Sequence, residues 1–194
     1  MTTIDPLQYG WWLASRAAGV VAMLLITASV ILGLAMAGRV SRRPGLARTL
    51  RGIHEQSALA GLVAIGVHGV TLLGDRWLHP GLKGIAVPFA MGYRPLFTGL
   101  GILAGYLAAI LGLTFYARRR IGARLWRRMH RFTVVVYALG LVHALGAGTD
   151  AGSPWLRTTL LASTIPVGAL FAVRVLSGRR RRARPRQAAV EAAR

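Results

Sequence analysis

Cysteine is absent from this 194-residue chain. That excludes disulfides, thiolate-ligated iron–sulfur clusters and cysteine nucleophiles. Charge is scarce as well: Asp, Glu, Lys and Arg make up 15% of the residues, against 54% hydrophobic. A soluble domain of this length needs more polar surface than that, so the composition points to membrane helices. No P-loop, catalytic triad or metalloprotease motif appears. Gly99, Gly101 and Ala104 match the dinucleotide fingerprint only in letters, since they lie within an apolar run with no strand before them. The N-terminus has neither a basic n-region nor a small-residue cleavage site, so the first apolar run is expected to be a retained helix.

Five apolar runs are present: roughly Trp11–Ala37, Arg51–Leu73, Pro95–Ala117, Trp126–Ala147 and Trp155–Leu176. Each has 20 or more residues, enough to cross about 30 Å of hydrocarbon at about 1.5 Å per residue. Trp11, Trp77, Tyr93, Tyr116, Trp126 and Trp155 lie near their ends, as in an interfacial aromatic belt. The expected fold is therefore all-α, an integral membrane bundle of about five transmembrane helices over residues 1–177. The stretch from Asp75 to Arg94 is too apolar for a free loop and too short to span. It is expected to be an external surface-lying or re-entrant segment. Residues 178–194 form a basic tail, expected to lack fixed structure or to associate with lipid.

The formal net charge of +20, taken alone, suits a nucleic-acid binder. Its distribution argues otherwise, because the basic residues gather between apolar runs. Arg39, Arg42, Arg43, Arg48 and Arg51 follow the first run, and Arg118, Arg119, Arg120, Arg124, Arg127 and Arg128 follow the third. Arg179, Arg180, Arg181, Arg182, Arg184, Arg186 and Arg194 lie in the tail. The other connections carry only Arg76, Lys83, Arg94 and Arg157. This asymmetry predicts a multi-pass protein of the cell membrane with its N-terminus outside and its C-terminus cytoplasmic. Its partner is the lipid bilayer, not nucleic acid.

Four of the five histidines lie in two of the apolar runs: His54 and His68, 14 residues apart, and His130 and His143, 13 apart. On a helix these spacings are about 21 Å and about 19.5 Å. Both runs lead from the basic side outward, so His54 matches His130 in depth near the inner face. His68 likewise matches His143 near the outer face. Two neutral imidazoles on neighbouring helices are the axial ligand set of six-coordinate haem iron, a state suited to electron transfer. Ionisable residues within spans are rare and usually functional. The alternative is a haem-free scaffold or transporter subunit whose histidines join helices by hydrogen bonds. Thirteen residues turn a helix by about 140° from the starting face, so the second run needs tilt, a bulge near Gly140 or different rotamers. His79, beside Pro80, has no partner in this scheme and reads as a solvated interfacial residue or one near an external redox partner.

Haem propionates would call for arginine. Arg51 and Arg131 flank the inner pair, and Arg16 and Arg94 lie at the outer level, where contact with a propionate and plain snorkelling are both open. Glu55, the one acid within a span, is expected to pair with Arg51 or Arg131. Gly61, Gly66, Gly69, Gly101, Gly105 and Gly140 would either clear space for flat macrocycles or let helices pack closely.

On these histidine spacings, and on the stretch RPLFTGLGILAGYLAAILGLTFYARRRIGARLWRRMHRFTVVVYALGLVHAL after Tyr93, the chain resembles the ferric reductase-like transmembrane domain superfamily. That superfamily includes ferric reductases, NADPH oxidases and the haem-bearing membrane subunit of a bacterial periplasmic methionine sulfoxide reductase. The likeness covers roughly residues 50–150 and is carried most by the basic turn into WRRMH and the later VH. It implies two b-type haems ligated by His54, His68, His130 and His143, in an oxidoreductase component that carries electrons across the membrane. The core of that superfamily usually has six helices and is often joined to a cytosolic flavin- and NADPH-binding portion. Five runs and a short basic tail are counted here, so the expected electron donor is a separate protein or a quinol. The expected acceptor is external ferric iron or a partner reductase.

Overall fold

The computed structural model describes residues 9–38 and 44–191, with Pro44 and residues 179–191 as backbone alone. Seven α-helices follow in order: α1 Gly10–Ala37, α2 Pro44–Thr71, α3 Gly81–Ala86, α4 Pro95–Ile121, α5 Ala123–His130, α6 Thr133–Ala147 and α7 Pro154–Glu191. A 3-10 turn, Leu72–Gly74, extends α2, and no strand occurs among the described residues. Three of the long helices open on proline, a residue whose fixed φ and missing N–H suit the first helical turn. Five spans are long and apolar enough to cross a membrane, with α5 and α6 together forming the fourth. Large apolar side chains cover the outside, with Val63 at 67% exposure and Ile165 at 71%, as expected of a lipid-facing surface. The chain is a multi-pass membrane protein.

α2 begins seven residues before the expected start at Arg51, and α4 runs on to Ile121. The backbone of α7 is helical through residues 178–191, in the basic tail for which either no fixed structure or lipid association was expected. Arginine and alanine are good helix formers, and the helix propagates from a long stable span. Arg39, Arg42, Arg43 and Arg194 lie outside the described residues.

α1 packs antiparallel along α2, and α4 antiparallel along α6, giving two helical pairs. One core joins them through Met23, Val30 and Leu34 of α1, Tyr137 of α6, and Leu156, Leu160 and Val167 of α7. The Tyr137 hydroxyl meets Ser163 Oγ at 2.8 Å inside that core. A second, smaller core sets Ala108 and Leu111 of α4 against Val136 of α6, with Leu62 and Ile65 of α2 beside them. α2 and α6 make almost no direct backbone contact with each other, though both border this core.

The segment between α2 and α4 lies against the first turns of α4. Asp75 opens it with a tight turn in which Oδ1 accepts from the N–H groups of Trp77 (2.8 Å) and Leu78 (3.1 Å). α3 follows, and its last residue, Ala86, accepts a hydrogen bond from the Tyr106 hydroxyl on α4. Phe89 lies against Gly99, and Met91 is buried. Trp77, Leu82, Val87 and Phe89 keep large apolar surfaces outward.

Gly122 separates α4 from α5 at φ +85°, a backbone conformation that side chains with a Cβ rarely adopt. α5 then stops at His130. Phe132 N–H bonds to Met129 O at 2.9 Å in a tight turn, and α6 restarts at Thr133. Four β-branched residues, Thr133–Val136, follow the interruption and disfavour continuous helix there. Of the three adjustments expected of this run, no bulge occurs at Gly140, where α6 is continuous; the interruption lies at Arg131–Phe132.

Candidate functional site

Both expected histidine pairs are assembled. His54 and His130 have ring centres 6.0 Å apart with planes at 90°, and His68 and His143 have centres 6.2 Å apart at 71°. The first pair lies at the end bearing the arginine-rich α4–α5 turn, called here the basic end. The second lies at the far end, near the α6–α7 turn. No hydrogen bond joins the rings within either pair.

What holds the rings is a motif used three times. Nδ1 of His68 donates to the carbonyl oxygen of Ser15 at 2.8 Å, and the Ser15 hydroxyl lies 3.0 Å from the same nitrogen. Nδ1 of His54 meets Ser29 in the same way, at 2.8 Å to the carbonyl and 3.0 Å to the hydroxyl. Each serine hydroxyl also donates to the backbone carbonyl of its histidine, at 3.1 Å for Ser15 and 3.4 Å for Ser29. Nδ1 of His143 donates to the Phe97 carbonyl at 2.9 Å.

Four residues beyond each accepting carbonyl stands a glycine: Gly19, Gly33 and Gly101. The spacing has a direct cause. Helical Cα–Cβ bonds tilt toward the N-terminus, so a side chain at i+4 covers the carbonyl at i. Glycine leaves that carbonyl open to a second donor. A Cβ at Gly19 would come within 3.1 Å of His68 Nδ1, and one at Gly33 within 3.2 Å of His54 Cε1. At Gly101 a Cβ would overlap the His143 ring outright.

With Nδ1–H given to a carbonyl, the neutral imidazole leaves Nε2 as a bare lone pair, the tautomer a metal ligand needs. An imidazole nitrogen binds a first-row metal at about 2.0–2.1 Å and lies about 1.1 Å from its ring centre. Two imidazoles sharing one ion from opposite sides therefore have centres about 6.2–6.4 Å apart. The His68/His143 separation of 6.2 Å lies at the lower edge of that range, and the His54/His130 separation of 6.0 Å lies just under it. No cluster of three or more His, Cys, Asp or Glu side chains suited to a metal occurs among the described residues. Each level offers two protein donors, and an ion there has to bring its remaining ligands with it.

His130 departs from the motif. Its Nδ1 is buried without a hydrogen-bond partner, as is Nε1 of Trp126, and the two rings stack at 5.0 Å and 25°.

The arginines fall into two groups. Arg16 forms an ion pair with Asp150, with its guanidinium 4.9 Å from the Trp12 ring centre. Arg94 donates to the Gly146 carbonyl and lies over Tyr93. Both tie the α6–α7 end of the bundle to the rest. Arg51 and Arg131 at the basic end are exposed. Glu55 makes no ion pair with either, because Arg16–Asp150 is the one salt bridge among the described residues. His79 is exposed, at φ +41°, and away from both pairs.

Of the glycines singled out from sequence, Gly101 alone lies under a histidine. Gly61 packs against Ile26, Gly105 against Ile65 and Gly140 against Met23, whereas a Cβ at Gly66 or Gly69 would touch nothing within 4 Å. The serines and glycines of α1 were missed. Their signal was present in the sequence: S-x-x-x-G occurs twice on α1, 14 residues apart, the same interval that separates His54 from His68.

No family model matches the chain, and no solved structure matches it.

Proposed function

We propose that this protein is a transmembrane electron conduit that binds two b-type haems, one between His54 and His130 and one between His68 and His143. The observation that carries the reading is the meeting of the four histidines in two pairs. Hydrogen bonds from Nδ1 join helices, α2 to α1 and α6 to α4, but do not account for the pairing of rings across α2 and α6. Three of the four give Nδ1 to a carbonyl of a neighbouring helix and leave Nε2 without a hydrogen bond, with the paired ring centres 6.0 and 6.2 Å apart. Among the described residues each level has two protein donors, short of the four of a closed zinc site and suited to a metal that carries its own equatorial nitrogens. When bound, such a group takes up and releases single electrons with both axial positions filled.

The chain's own residues supply position and insulation. Ser15, Ser29 and Phe97 fix the tautomer and plane of three ligands through their carbonyls. Gly19, Gly33 and Gly101 let those rings lie close to the neighbouring helix. The small core of α4, α6 and α2 lies between the two levels and keeps polar groups and water from the interval. In this reading the basic end faces the cytoplasm, by the asymmetry of arginine, and Arg51 and Arg131 are free there for the acidic edges of the inner haem. The donor is a separate protein or quinol on that side. The acceptor beyond the far end is ferric iron or a partner reductase.

The test is spectroscopic. Purified protein reduced with dithionite should show the alpha band of low-spin b-type haem, with about two haems per chain by pyridine haemochrome. His143→Leu should halve that content. A colourless protein from haem-sufficient cells would end the proposal and return the histidines to helix packing.

A further inference from the structure

The two histidine pairs are not equivalent, and the difference lies in His130. Its Nδ1 has no acceptor, and α4 explains why. Phe97 and Gly101 of α4 serve His143; fourteen residues on, the corresponding positions are Leu111 and Phe115. The Leu111 carbonyl already accepts from the Thr114 hydroxyl at 2.9 Å, and Phe115 stands where the glycine would have to be. The Phe115 carbonyl is taken as well, by Arg118 at 2.7 Å. In place of a carbonyl, His130 has the face of Trp126, which is packed in turn against Phe115 at 5.8 Å.

A hydrogen bond from Nδ1–H to a carbonyl pushes electron density toward Nε2 and makes the imidazole a stronger donor, which favours the oxidised metal. The far-end pair has two such bonds, and the basic-end pair has one. Fixed charge acts in the same direction. Arg48, Arg51, Arg127, Arg128 and Arg131 lie on the elements of the basic end, where Glu55 is the acid whose side chain is described, a field that favours taking up an electron. The far end holds Asp75, buried with one oxygen unpartnered, and Asp150, whose charge Arg16 balances.

We infer that Trp126 is a positioning residue that withholds an acceptor from His130, and that the His54/His130 centre has the higher midpoint potential of the two. The inference rests on the dihaem reading. Electrons then collect at the basic end, and the step to the far end proceeds only as an external acceptor removes them.

The experiment is a spectroelectrochemical titration of the purified haem-loaded protein and four variants. Wild type should show two waves. His54→Leu should lose the higher wave, and His143→Leu should lose the lower. Trp126→Gln places an amide oxygen one helical turn from His130 and should lower the higher wave alone. Trp126→Phe keeps an aromatic face without an acceptor and should leave both waves in place. Coincident waves, a reversed assignment, or equal shifts from Trp126→Gln and Trp126→Phe would overturn the inference. If the histidine variants do not fold, the two Trp126 variants decide, since each retains all four ligands. Absence of any haem spectrum overturns the dihaem reading itself and is recognised before a potential is applied.

Discussion

Gly33 and Gly101 lie beneath imidazole rings on different helices and at different levels, so each tests one pair. Valine at Gly33 adds a branched side chain where even a Cβ comes within 3.2 Å of His54. Overpacking of this kind costs about 1–3 kcal/mol, and here it falls on ring placement. Gly33→Val is expected to reduce the haem-to-protein ratio from two to one and to spare the far-end centre, and Gly101→Val the reverse. Ser29→Ala is a sharper contrast. It removes a hydroxyl but keeps the carbonyl that accepts from His54, so stability should fall by about 1 kcal/mol with haem content unchanged. Loss of haem in Ser29→Ala would show that the hydroxyl, not the carbonyl, sets the ring. The histidines were legible in the sequence because ionisable residues stand out in apolar runs. The glycines beneath them were not, because membrane helices contain many glycines and only an antiparallel register, with Ser15 against His68 and Ser29 against His54, selects the right ones.

At the scale of elements, the number of spans and their approximate bounds followed from apolar length alone, a signal that tertiary packing hardly alters in a membrane. The interruption between α5 and α6 did not. It depends on a local contest between four β-branched residues and helix continuity, and apolar length is blind to it. It sits between the two ligand positions of this span: Arg131 and Phe132 keep right-handed helical backbone angles in a tight turn between His130 and His143. Inserting one alanine between Arg131 and Phe132 should rotate α6 by up to about 100° relative to α5 and separate one pair. The checkable result is a haem content near one per chain with the helical circular dichroism signal retained. Two haems in the insertion variant would mean that the turn absorbs register freely and does not set it. The fate of Arg16 was also hidden from sequence, since its partner, Asp150, is 134 positions away. Asp150→Asn should lower thermal stability by about 1 kcal/mol or less, because the pair is partly exposed, and leave haem content unchanged. Haem loss in that variant would return Arg16 to the role of a cofactor contact.

For the whole molecule, the decisive quantity is the fraction of the bilayer that the two levels divide. His54 and His68 are separated by 14 residues of α2, about 21 Å along the axis, in a hydrocarbon layer of about 30 Å. In the dihaem reading proposed above, that interval assigns one pair to each half of the layer. A single centre at either level leaves a gap that electron tunnelling crosses poorly. In proteoliposomes with dithionite trapped inside and ferricyanide outside, the wild-type protein should oxidise the trapped reductant at a rate proportional to protein. His68→Leu, keeping the basic-end centre, and His54→Leu, keeping the far-end centre, should each lose most of that flux despite an intact bundle. Full flux through either variant would show that one centre suffices, and the paired architecture would then need a different explanation. The same preparation reports orientation, because a protease added outside removes the arginine-rich end of α7 only from molecules whose basic end faces out. Sorting flux by that fraction separates a conduit that works in both directions from one that favours the basic end as its entrance.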